Sequence, residues 1–141
     1  MTDMNIVQEE KEFNVNGKAV IRFNPSDSKF ATSFISAFES LLNRHEAFCN
    51  AAKKNPEEFF TIAEKADADM REIINGLFGE DICTPIFDKM SMTAISEGLP
   101  LWLNFMLAIM DEITAELEEA KKKKMSINPK LKKYLSKFDK K

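Results

Sequence analysis

From Glu12 to Phe23 apolar and polar positions alternate around Asn16-Gly17. Alternation centred on an Asn-Gly pair predicts a β-hairpin. A two-residue loop would pair Val15 with Lys18 and set Ile21 opposite Glu12. A three-residue loop, or a bulge, instead puts Phe13, Val15, Ala19, Ile21 and Phe23 on one face. The second register is the expected one, because a lone hairpin needs an apolar face to lay on helices. Residues 1–11 read as a flexible N-terminus.

Past Asn24-Pro25-Ser26-Asp27, a turn into a helix start, the rhythm becomes helical. Phe34, Phe38, Leu41, His45, Phe48 and Ala52 recur at 4-3-4-3-4 spacing, and Ile35, Leu42 and Cys49 widen the stripe. Asn55-Pro56-Glu57-Glu58 restarts a helix, with Asn as cap, Pro at the first position and acidic residues in the first turn. Phe59, Ala63, Ala66, Met70, Ile73 and Leu77 repeat the spacing. Two such seams joined by so short a turn predict an antiparallel helical hairpin. Gly76 and Gly79 end the second helix. Thr84-Pro85 opens a short helix through Met90, and a loop runs on to Gly98.

Ten of the twelve residues from Leu99 to Met110 are apolar, so a helix there has almost no side for water. The run falls short of the roughly 18 residues needed to cross a bilayer, and Asn104 interrupts it, so no membrane association is expected. It must be covered by the rest of the chain, by another copy or by a client. Full burial of an aliphatic side chain is worth roughly 1.5–3 kcal/mol, which makes exposure a strong drive to associate. The helix should continue to about Lys124, turning amphipathic through Ile113 and Leu117. Asn128-Pro129 then caps a last segment with Leu131, Tyr134, Leu135 and Phe138 on one face.

The expected architecture is therefore mainly α. One domain over residues 12–120 forms an antiparallel bundle of four to five helices with a short N-terminal β-hairpin (12–23). Residues 121–141 form a lysine-rich helical tail.

Composition sharpens two points. Twelve Phe and eight Met stand against one Tyr and one Trp. Phenyl rings and flexible thioethers fill irregular cores, and they also suit surfaces that accept varied apolar partners. Charge is segregated: residues 121–141 carry +9, the other 120 carry −12, and the chain carries −3. Lys121, Lys122, Lys123, Lys124, Lys130, Lys132 and Lys133 form a basic tail suited to an acidic face of a neighbouring molecule. The tail has no Arg, and its two aromatic residues lie on the stripe expected to be buried. Nucleic acid is accordingly not the expected partner.

Candidate chemistry is sparse. His45, the only histidine, falls on an apolar seam, where packing and a hydrogen bond are the ordinary role. His45-Glu46-x-x-Cys49 has the outline of a zincin helix without its second histidine, and Cys83 alone would have to add a third ligand. Cys49 and Cys83 fall in no disulfide or paired-ligand spacing, and the N-terminus is acidic and polar, so a reducing cytoplasm is expected. Four glycines include no phosphate-binding loop. No catalytic residue, cofactor or metal is expected.

The order of these elements resembles a known family. A short hairpin leads into two long helices, and the second closes in Ile73-Ile74-Asn75-Gly76-Leu77-Phe78-Gly79-Glu80. Ile86-Phe87 comes next, then the strongly apolar helix. This pattern is similar to the tail assembly chaperones of long-tailed phages and prophages of Gram-positive hosts, and the likeness spans about residues 12–118. The lysine-rich end has no counterpart in that pattern. The resemblance implies a non-enzymatic protein of the host cytoplasm, absent from the mature virion. Such proteins coat the apolar helical tape-measure protein and keep it soluble until the tail tube polymerises, often in a short form and a frameshifted longer one. On this reading Leu77, Phe78, Phe87, Trp102, Phe105, Met106, Ile109 and Met110 form or flank the client groove by helix-in-groove contact. Two other roles compete with it: a helical scaffold that self-associates through its basic tail, and a nucleic-acid accessory protein using that same tail.

Overall fold

The computed structural model describes residues 1–122, with side chains to Glu119. Its elements in chain order are β1 (Lys11–Val15), β2 (Ala19–Phe23), α1 (Ser28–Lys54), a 3-10 turn (Pro56–Glu58), α2 (Phe59–Phe78), α3 (Cys83–Phe87), β3 (Ile95–Ser96), β4 (Leu99–Pro100) and α4 (Leu101–Lys122). The protein is thus mainly helical with an N-terminal antiparallel hairpin. Residues 1–10 carry no secondary structure and are exposed. The segment after Asn128-Pro129, and with it Lys123, Lys124, Lys130, Lys132 and Lys133, lies outside the described residues.

The hairpin adopts the three-residue register: Val15 faces Ala19, Phe13 faces Ile21 and Lys11 faces Phe23. Asn16 and Gly17 both take positive φ, 53° and 70°. Few residues other than Gly and Asn accept that geometry, which matches the twist of the strands. The Lys18 amide donates to the Val15 carbonyl at 3.0 Å, and the Gly17 amide donates to Asn14 Oδ1 at 2.8 Å. With Lys18 outside the ladder, Ile21 and Phe23 enter the core while Val20 and Arg22 face out.

Asp27 caps α1 by accepting the Lys29 amide at 3.0 Å. Ring contacts at both ends show that α1 and α2 run antiparallel: Phe48 meets Phe59 at 5.7 Å near the turn, and Phe30 meets Phe78 at 6.0 Å at the far end. The connection differs from the expectation. The Asn55 side chain makes no capping bond. Its backbone does the joining, the N–H closing α1 on the Ala51 carbonyl and the C=O accepting the Glu58 amide. Pro56–Glu58 then winds as a tight 3-10 turn, and α2 begins only at Phe59.

The seams also fade toward this turn. On α1 the buried positions run from Ala31 to Leu41 and stop, and on α2 they begin at Ala66. His45, Phe48 and Ala52 are half-buried, and Phe59 is exposed, contrary to its place on the predicted stripe. α1 is 27 residues long, about 40 Å of helix, so its last turns run past the elements that cover the rest.

Gly76 sits inside α2 rather than ending it; Gly79 ends it, at a left-handed φ of 71°. Asn75 organises the entry into α3. Its Oδ1 accepts the amides of Ile82 and Cys83 at 2.9 and 3.0 Å, and its Nδ2 donates to Asp81 Oδ1 at 3.1 Å. Asp81 in turn accepts the Thr84 amide at the start of α3. One turn earlier, Arg71 donates to Asp67 and to the carbonyls of Asp88 and Met90, while Asp67 accepts the Met92 amide at 2.7 Å. These bonds hold the 88–92 segment against α2.

The predicted loop before Gly98 contains a small hairpin, β3 with β4, turned by Glu97 and Gly98 at positive φ. The hairpin folds the residues just before it back onto α4, where they supply the partners that the helix's first turn lacks. The Leu101 and Trp102 amides donate to the Ala94 and Met92 carbonyls at 2.8 and 3.1 Å. Asn104, the polar break in the apolar run, donates to the Ser96 and Leu99 carbonyls.

Candidate functional site

One side of the apolar helix is covered by its own chain, while Leu101, Leu103 and Leu107 are half-buried. Trp102, Phe105, Met106, Ile109 and Met110 are all buried, each 6% exposed or less. Trp102 lies edge-on to Phe38 at 6.0 Å, and Phe105 packs edge-on to Phe78 at 6.3 Å and to Phe87 at 5.4 Å. Leu77, Phe78 and Phe87 are half-buried against this core. Of the three covers open to this run, the rest of the chain provides the one for those five α4 side chains. The hairpin, through Ile21 and Phe23, and α1, through Phe34 and Phe38, supply the missing cover. Pattern alone could not weigh that contribution.

What stays open is a groove where the hairpin meets α4. Phe13, Val15, Ile21 and Phe23 form one wall, Phe105, Ala108 and Ile109 the other, and Asn14, Asn16 and Glu112 line its polar margin. The cavity measures about 190 Å³. Of the eight residues predicted to bind, Phe105 and Ile109 reach this groove. Lys11 forms an ion pair with Glu116 and ties the hairpin to α4 beyond it. Phe23 is the keystone of its wall, stacked on Phe13 at 4.5 Å and on Phe30 at 4.6 Å.

A second apolar surface caps the α1–α2 turn. Phe60 is 83% exposed and lies edge-on to Phe59 at 5.5 Å, with Phe48 behind. The sequence carried a signal for Phe60, which falls off the stripe that begins at Phe59, but not for the exposure of Phe59. Ala108 and Val15 were missed because neither is conspicuous until hairpin and helix are docked.

Neither thiol is placed as a ligand. Cys49 is exposed, with Sγ 3.6 Å from His45 Nε2 one turn back. Cys83 is buried in α3, and its burial raises the thiol to about 12. Among the described residues no group of three or more His, Cys, Asp or Glu is arranged to hold a metal, and no helix is long and apolar enough to cross a membrane.

Comparisons with protein-family models, curated protein sequences and solved structures return no match to this chain.

Proposed function

We propose that this protein is a tail assembly chaperone that holds an apolar helical segment of a tape-measure protein before the tail tube forms. The order of elements is what carries the reading: hairpin, long helical pair, Leu77-Phe78-Gly79 closure, short helix with Phe87, then an apolar helix. The physical support is a surface with two separate apolar features, the hairpin–α4 groove and the Phe59–Phe60 tip. Contiguous apolar surface rimmed by polar groups is how such holders engage clients. Client contact is assigned to the accessible lip of the groove, Phe13, Val15 and Ala108, and to the tip, because Ile21, Phe23, Trp102, Phe105, Met106, Ile109 and Met110 are committed to the core.

The test is co-expression of the full chain with a very long helical tail protein encoded beside it. The soluble fraction of that client should rise several-fold. Phe60→Ser combined with Ala108→Glu should cancel the gain without loss of the chaperone itself. No rise with any of several candidate clients overturns the reading.

A further inference from the structure

We propose that residues 129–138 of this chain dock, apolar face first, in the hairpin–α4 groove of the same molecule. Leu131, Tyr134, Leu135 and Phe138 are spaced to share one helical face, with Lys130, Lys132, Lys133 and Lys137 between them. The groove suits an aromatic anchor. A dry cavity of about 150 Å³ accepts a benzene ring, and this one offers about 190 Å³ between Phe13, Val15, Phe105 and Ile109.

Charge and reach agree. Glu112 is exposed at the groove's margin, and Glu116, paired with Lys11, follows one turn on, while residues 121–141 carry +9. From Glu112 to the described end of α4 at Lys122 is roughly 15 Å of helix. Residues 123–128 can span up to about 20 Å, enough to bring the segment back. So short a connection sets an effective concentration in the millimolar range. That favours a molecule's own segment over that of a second copy at ordinary protein concentrations. The segment occupies the groove that a client would enter, so the two compete for it; the test below uses the chain alone and reads the segment's position whether or not a client exists.

Disulfide trapping in the full chain tests it, with Cys49→Ser to remove the exposed thiol. Ala108→Cys at the groove lip is paired with Phe138→Cys, and separately with Tyr134→Cys. Thr61→Cys with Phe138→Cys, near the α1–α2 turn, is the control. At least one groove pair should oxidise ten times faster than the control and give a product that runs as a monomer. Lys130, Lys132 and Lys133 changed together to Glu should slow that reaction at least threefold. Cys49, Thr61 and Ala108 are exposed, and circular dichroism checks that every variant keeps the fold. Groove pairs that both oxidise at the control rate overturn the proposal. A product that is mainly disulfide-linked dimer also overturns it, by assigning the groove to a second copy.

Discussion

The indole Nε1 of Trp102 donates to His45 Nδ1 at 3.4 Å, with the two rings 5.6 Å apart. This contact joins the start of α4 to the point on α1 where the buried stripe ends. It also fixes the neutral tautomer, because Nδ1 must accept and the ring proton then sits on Nε2, toward Cys49. Trp102 is 1% exposed, so loss of the acceptor strands a buried donor. His45→Ala should cost about 1–3 kcal/mol, read from the urea midpoint, and His45→Gln should recover part of it. Equal losses in both variants would mean that ring packing, not the hydrogen bond, sets the value.

Asn75 ties the end of α2 to the start of α3. Asn75→Ala removes the acceptor for two amides at buried positions, Ile82 and Cys83. A loss of about 2–4 kcal/mol is expected from the usual cost of each stranded group. Asn75→Asp keeps the acceptor, loses the donor and faces Asp81 with a like charge, so it should be destabilising but less so. Denaturant unfolding of the three proteins ranks them.

The two thiols should differ sharply in reactivity. With an alkylating reagent at pH 8, exposed Cys49 reacts in the folded protein and buried Cys83 only after unfolding. Burial holds the Cys83 thiol near 12 against an ordinary 9.0. The folded state therefore keeps its proton where the unfolded chain has released it. Stability from this group is complete below about pH 9 and is lost as pH rises toward 12. Cys83→Ala should flatten that alkaline decline, whatever it costs at neutral pH.

Asp81 acts in the opposite range. Hydrogen bonds from the Thr84 side chain and backbone, with help from Asn75, hold its carboxyl below the ordinary 3.8. A depressed folded value gives stability that is present above the unfolded value and lost as pH falls below it. Asp81→Asn should lower stability at pH 6 and reduce the further drop below pH 4, tracked by unfolding midpoints across that interval.

Core and surface phenylalanines should separate cleanly. Phe105→Ala, at a 6% exposed position with two ring neighbours, should cost about 3–5 kcal/mol. Phe60→Ser, at 83% exposure, should stay within about 0.5 kcal/mol of the parent. A large loss at Phe60 would show that the tip is structural.

Local rules read from the chain settle the hairpin, both long helices and the closure at Gly79, while the hairpin's register follows from its need for one apolar face against the helices. Asn16-Gly17 and Asp27 act within a few residues of themselves, and a period of two or of 3.6 comes from backbone geometry alone. The charge segregation and the packed role of His45 were legible for the same reason. The tertiary structure decides coverage. Whether Trp102 or Phe59 meets water depends on how far α4 and the hairpin reach along α1, a distance no periodicity encodes. Hence the bulkiest side chains of the most apolar run, Trp102, Phe105 and Met106 among them, are interior, while a groove and a tip of less conspicuous residues remain open. The same holds for Asn75, Arg71 and Asn104, polar side chains whose partners are backbone groups of segments folded back against them.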